Sequence, residues 1–303
     1  MAITALILAA AIGGSTTGPL SANPRLMGIF TRPPGATLMA DLGQLAADGV
    51  PGADAMHRGF AALLSGSDGP NWVDACAIWD SASGTDAVAA HFTAECEEKG
   101  TGRPANTERA ADLYRRAGEA GFAKSKCALG NLYRDGRGVP ADPARGVALC
   151  REGADMGDAD AQTDLGNYYL HGDGVGQDYA EARRWFEKAA AQRQRNALFN
   201  LGAMAWNGHG GPRDLEAAGQ WFEGAYAAGR RDAATQVARG TLLRAVPNAP
   251  EGPVDADLLA HARRWYEIAL ERDPSEQGRA DAAVALAQIS GYEAMLRAQS
   301  DNE

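Results

Sequence analysis

Apolar residues in the middle of this chain recur with the spacing of helices that each bury one face. Ala161, Leu165 and Tyr169 lie at i, i+4 and i+8, which predicts a helix over about 159–171. A second apolar set, Ala182, Trp185, Phe186, Ala189 and Ala190, predicts a partner helix over about 179–191. Between them stands Gly172-Asp173-Gly174-Val175, and a glycine there stops the first helix because it enters the left-handed conformation without a Cβ clash. Asp178 then occupies the N-cap position of the second helix, with Glu181 three residues on.

The same pattern returns every 36 residues. Leu165-Gly166 has counterparts in Leu129-Gly130 and Leu201-Gly202, the paired turn glycines in Gly136/Gly138 and Gly208/Gly210, and Trp185-Phe186 in Trp221-Phe222. A fixed period of this length means stacked supersecondary units, each contacting only its neighbours. The units run over 87–122, 123–158, 159–194, 195–230 and 231 to about 274, the last with about eight extra residues around Pro247 to Pro253. Residues 1–22 read as a leader, 23–86 as a degenerate helical repeat and cap, 87–274 as the repeat array, and 275–303 as one or two capping helices with a tail. The small residues Gly130, Gly166 and Gly202 leave room for the second helix to approach the first, and the Trp-Phe pairs fill the core between units.

The combination Leu-Gly-x-x-Tyr, Gly-x-Gly-Val, Asp, Ala-x-x-Trp-Phe and Ala-Ala resembles the Sel-1-like repeat, a relative of the tetratricopeptide repeat. The match is densest from 123 to 230 and departs from the pattern at Leu149-Cys150, where the third unit carries Trp185-Phe186. The resemblance implies an all-α fold, a right-handed α/α superhelical solenoid of about five to six helix pairs with atypical caps. It also implies a non-enzymatic interaction scaffold, regulatory or envelope-associated in a bacterium. A cysteine-rich branch of the family is linked to penicillin binding and β-lactamase activity, but its repeated cysteine pair does not occur here.

Net charge is −10, and no run of five or more Lys or Arg tracks a phosphate backbone, which argues against a nucleic-acid partner. The first 14 residues carry an apolar run of about 13, the length of a signal-peptide core, yet no Lys or Arg precedes it. The expectation is export, to the periplasm; a cytoplasmic protein with a buried N-terminal helix is the alternative. No later run is long enough to span a bilayer, so a monomer without a transmembrane segment is expected once the leader is removed. The four cysteines, Cys76, Cys96, Cys127 and Cys150, fall at four different places in the repeat frame. Cys76 with Cys96 and Cys127 with Cys150 are candidate disulfides, with buried thiols the alternative and a redox-responsive regulator a further reading.

Chemistry is sparse. Ser-x-x-Lys, Gly-x-Ser-x-Gly, His-Glu-x-x-His and Walker-type glycine loops do not occur, and no Cys/His set has metal-ligand spacing. Neither a cofactor nor a metal is expected. The five histidines share no motif and read as structural or solvated. Helical geometry instead nominates a binding face, the stripe of each first helix opposite its core side. In successive units that stripe holds Lys124, Cys127, Asn131, Arg134 and Asp135; then Asp160, Thr163, Asn167, Leu170 and His171; then Asn196, Phe199, Ala203, Trp206 and Asn207; then Asp232, Thr235, Arg239, Leu242 and Leu243. Asn131 and Asn167 suit a peptide backbone, Arg134 and Arg239 a carboxylate, and Phe199 with Trp206 an apolar anchor.

Overall fold

A computed structural model describes residues 38–65, 69–247 and 252–300. The expected leader over 1–22, the start of the 23–86 segment and the centre of the 247–253 insertion lie outside these residues. Within them the chain is helical throughout, without a strand, an α/α solenoid of 14 helices. They fall into two compact units that divide between Asp178 and Tyr179.

The first unit begins with α1 (Leu38–Ala47), α2 (Ala53–Ser65) and α3 (Trp72–Ala82). Helix pairs follow: α4 (Ala87–Lys99) with α5 (Thr107–Glu119), and α6 (Ala123–Asp135) with α7 (Pro143–Asp155). The helix α8 (Ala159–His171) completes the unit. The second unit contains α9 (Tyr179–Ala191), the pair α10 (Arg195–Asn207) and α11 (Leu215–Ala227), and the pair α12 (Ala233–Ala245) and α13 (Ala256–Arg272). It ends in one long helix, α14 (Glu276–Ser300), where one or two were expected. Each helix from α4 to α12 is 13 residues long.

Local chemistry sets these bounds. The first helices α4, α6, α8 and α10 each stop at a left-handed glycine, Gly100, Gly136, Gly172 and Gly208. The carboxylates of Asp86, Asp142 and Asp158 accept from backbone N–H groups at the starts of α4, α7 and α8, and Pro143 takes a helix position where a missing N–H leaves nothing unpaired.

The second glycine of each turn does something different. A Cβ on Gly138 would stand 2.2 Å from the Thr107 carbonyl oxygen, and one on Gly174 would stand 2.4 Å from that of Pro143. Gly102 meets the Trp72 carbonyl in the same way, at 2.6 Å. Thus in the first unit these turns rest their backbone on the first turn of the helix that precedes α4, α6 or α8 by one place in the stack, α3, α5 or α7, and no side chain fits between.

Packing within a pair is equally close. In the second unit a Cβ on Gly202 would meet the Phe222 ring at 2.7 Å. One repeat of the first unit goes further, because Cys150 replaces the aromatic and Gly146 replaces an alanine. Gly130 and Gly146 then face each other, each with the other's carbonyl oxygen 2.6 Å from where a Cβ would be. One core runs from α1 to α6 and includes Leu42, Trp79, Tyr114, Phe122 and Leu132, all at most 1% exposed. At about 25 cal/mol per Å² of apolar surface removed from water, side chains of this kind supply the main stabilisation of each pair.

Candidate functional site

The first helices of three successive repeats, α4, α6 and α8, enclose a polar recess of about 250 Å³ in the first unit. His91, Glu95 and Glu98 come from α4, Lys124, Cys127, Asn131 and Arg134 from α6, and Asp160 and Asp164 from α8; Tyr114, Arg137 and Asp158 close its edges. Five of these side chains are carboxylic acids, against three Lys or Arg.

Hydrogen bonds tie each first helix to the next at nearly one repeat period. His91 Nδ1 lies 2.9 Å from Ser125 Oγ, joining α4 to α6. The Asn131 amide donates to Asp164 at 2.8 Å while its oxygen accepts from the Tyr168 hydroxyl at 3.0 Å, joining α6 to α8. Lys124 pairs with Asp160, 36 residues away. Arg137 reaches Glu98 at 2.7 Å, and Glu98 also accepts from Tyr114. Arg134 engages its neighbour Asp135 at 2.7 Å and lies against the Tyr168 ring.

His91 is the least conventional member. It is 1% exposed, packed among Phe92, Tyr114 and Phe122, and its Nε2 has no hydrogen-bond partner. Burial holds its pKa down at about 4, with Lys124 and Lys99 adding to the effect and Glu95 opposing it, so the ring is neutral at pH 7. For Glu95 burial favours the acid, but the field of His91 in its protonated form, with those of Lys99 and Lys124, outweighs it and sets the carboxyl below its ordinary range. Asp164 goes the other way: burial, then the field of Asp160, raise it despite the Asn131 hydrogen bond.

The expected stripe is therefore partly engaged with its own fold. Lys124, Asn131 and Arg134 do line one recess, but Asn131 is committed to Asp164 and Tyr168 and is not open to a peptide backbone. Cys127 and Thr163 are buried, the Thr163 hydroxyl bonding back to the Ala159 carbonyl at 2.8 Å. Asn167 is half-buried and His171 exposed on α8, outside the recess lining. In the second unit the guanidiniums of Arg213 and Arg239 lie over the Trp206 ring, at 5.4 and 5.7 Å from its centre. Arg230 covers the Phe199 ring at 3.6 Å, and Asn207 is exposed.

His91, Glu95 and Glu98 were legible by carrying the stripe back one period from Cys127, Asn131 and Arg134. Asp164 was not, because it stands at the frame position of Ala128 and Phe92.

The cysteine sulfurs meet in two pairs at disulfide distance. Cys76 lies against Cys96 and Cys127 against Cys150, with Cα atoms 6.0 and 3.9 Å apart. The second pair sits at the tight Gly130–Gly146 contact. A carboxylate oxygen of Asp164 lies within 4.8 Å of both its sulfurs, and a disulfide there leaves no thiolate to ligate a cation. A more open depression of about 610 Å³ beside Pro140 and Pro143 offers little chemistry, since Asp142 caps α7 and Arg145 covers the Tyr133 ring at 4.3 Å.

The family model described as Sel1 repeat matches residues 87–122, 123–158, 159–193, 195–229 and 251–274, more than half of the chain. Among solved structures, a Sel1 repeat protein from Oxalobacter formigenes is similar at 20% identity and a TM-score of 0.54, over 79% of this chain and 86% of that one. The protective antigen c5321 of uropathogenic Escherichia coli, described as displaying an SLR fold, is similar at 24% identity and a TM-score of 0.55; the match covers 84% of this chain and 52% of that one. These likenesses bear on the fold alone. No curated protein matches the chain.

The neutral, buried His91 makes acid stability a readout of the recess. Its folded pKa lies below the unfolded value near 6.5, so the stability it contributes is full above about pH 6.5 and is lost as pH falls toward 4. Relative to His91→Asn, the wild-type chain is expected to lose up to about 3 kcal/mol of unfolding free energy between pH 7 and 4. Urea unfolding of both proteins across that range checks this; parallel pH profiles would contradict it.

Proposed function

Because the chain belongs to the Sel1-repeat family, we propose that it is a non-enzymatic, exported interaction scaffold that receives a protein or peptide on the stripe of its first helices. Proteins built from these repeats are generally interaction scaffolds, and the fold is typically non-catalytic. The observation that carries the finer reading is the recess itself. Three consecutive first helices turn charged and hydrogen-bonding side chains toward one cavity, where a helix surface needed only for stacking would present apolar or freely solvated groups. In the second unit the corresponding stripe offers the aromatic and guanidinium pairing of Trp206 with Arg239, the residue types that anchor protein interfaces.

One observation supports export: the cysteines meet in pairs, which suits an oxidising compartment. With both disulfides formed, the pairs fix α3 to α4 and α6 to α7 and hold the walls of the recess.

Partner capture from the exported fraction of the native host tests the scaffold reading. The double variant Arg134→Ala, Trp206→Ala is expected to lose a copurifying partner while keeping its helical circular dichroism, and undiminished capture would sink the assignment. Alkylation followed by mass spectrometry tests the compartment. Purified from that fraction, the protein should show no reactive thiol before reduction and four after it, whereas four thiols at the outset would place it in a reducing compartment.

A further inference from the structure

Three successive helices bring their side chains to one point beside the recess. Cys127 comes from α6, Cys150 from α7 and Asp164 from α8, and the two sulfurs and a carboxylate oxygen all lie within 4.8 Å of one another. Cys127 Sγ stands 3.6 Å from Asp164 Oδ2. Neither sulfur of a disulfide can donate a hydrogen bond to that acid. Asp164 is nevertheless turned toward the pair, at a position where the two preceding repeats carry Phe92 and Ala128.

The spacings are those of a tetrahedral thiolate and carboxylate centre. With Zn–S of about 2.3 Å and Zn–O of about 2.0 Å, tetrahedral angles put a sulfur and an oxygen about 3.5 Å apart and two sulfurs about 3.8 Å apart. The first is the Cys127 to Asp164 distance as it stands. The second suits two side chains that run parallel from Cα atoms 3.9 Å apart, the separation of Cys127 and Cys150.

The fold keeps these groups together without the sulfur–sulfur bond. Gly130 and Gly146 hold α6 against α7, backbone to backbone. Asn131, itself fixed by Tyr168, donates to Asp164 Oδ2 and orients the carboxylate, as ligating acids require. Cys127 and Asp164 both line the recess, which gives a cation its way in and supplies water for a fourth position. Two thiolates and a carboxylate leave one negative charge over on a dication, and the fields of Arg134 and Lys124 reach this spot to offset it. Sulfur ligands select zinc over calcium or magnesium, which take oxygen.

We propose that Cys127, Cys150 and Asp164 form a zinc site in the reduced chain, so that the same two sulfurs either bond to each other or hold the metal. A dithiol reductant drives the change. It passes two electrons and two protons to the Cys127–Cys150 bond, becomes a disulfide itself and leaves two thiols. Zinc then takes the place of both thiol protons, which leave to solvent, and the Asp164 carboxylate binds ionised. Burial raises the Asp164 pKa, and a cation beside it acts in the opposite direction. The site needs no partner polypeptide, so it stands or falls apart from the scaffold reading.

The test uses the full chain, metal-free and under exclusion of air, in its oxidised form and after reduction by a phosphine, which takes up the oxygen of water as the disulfides become thiols. Zinc is titrated against a chromophoric chelator, and cobalt(II) serves as the spectroscopic probe. The reduced chain should bind a single zinc ion, and its cobalt form should show thiolate-to-metal charge transfer with the intense visible bands of a tetrahedral centre. The oxidised chain should bind none. Cys127→Ser, Cys150→Ser and Asp164→Asn should each weaken zinc binding by about tenfold or more with the helical dichroism intact, while Cys76→Ser with Cys96→Ser leaves it unchanged. Should one of the three ligand variants fail to fold, the other two decide.

Zinc held by the oxidised chain, no zinc held by the reduced one, or unchanged affinity in the folded ligand variants would overturn the site. So would a zinc ion that is lost with Cys76 and Cys96 instead.

Discussion

Everything in the first unit depends on one steric constraint, the rest of a glycine backbone on the helix of the preceding repeat. Gly138 and Gly174 come so close to Thr107 and Pro143 that even a methyl group has no room, and both need a positive φ as well. Hydrophobic burial is non-directional and would tolerate many stackings of such amphipathic pairs. The glycine contact is not tolerant, because backbone meets backbone. It recurs once per repeat and so sets the rise from one first helix to the next. That rise brings His91 to Ser125, Asn131 to Asp164 and Lys124 to Asp160.

The recess follows from this register. Residues one period apart in sequence become neighbours in space, so a polar stripe is converted into cross-repeat pairs. Some pairs are simply structural: Arg137 with Glu98, or Asn131 with its two partners, are satisfied within the fold. Others leave capacity unused, and the difference lies in local composition. Where α6 and α7 carry Gly130, Gly146 and Cys150 they draw together, and where α8 carries Asp164 it places an acid opposite an amide. The −10 net charge of the chain foretells none of this, since the imbalance that matters is confined to a few side chains.

What was legible in the sequence was whatever the period repeats. Helix bounds, the left-handed glycine stops and the buried Leu165 and Phe186 all follow from the local pattern, and the helices over 159–171 and 179–191 fall where the apolar spacing puts them. The second turn glycine was visible but its role was not, because a stop signal and an inter-repeat contact leave the same letter in the same place. The stripe was legible as a face and less so residue by residue. Periodicity says which way a side chain starts; it does not say that Thr163 folds back on its own helix or that Asn131 is taken. His91 falls on the stripe carried back one period, but its burial and its tie to Ser125 come from the neighbours that stacking supplies. Asp164 departs from the frame altogether, as a residue under a local demand would.

The direct measurement is hydrogen exchange on Gly138→Val, which puts a branched side chain into the backbone contact beside Arg137 at the recess edge. If the glycine contact sets the register, amide protection should fall in α5, α6 and α7 together, and the His91 ring signals, which report the contact with Ser125 of the next repeat, should shift with it. Protection unchanged outside the 136–138 turn, with the His91 ring signals unmoved, would show that side-chain burial alone sets the stack and would contradict the account.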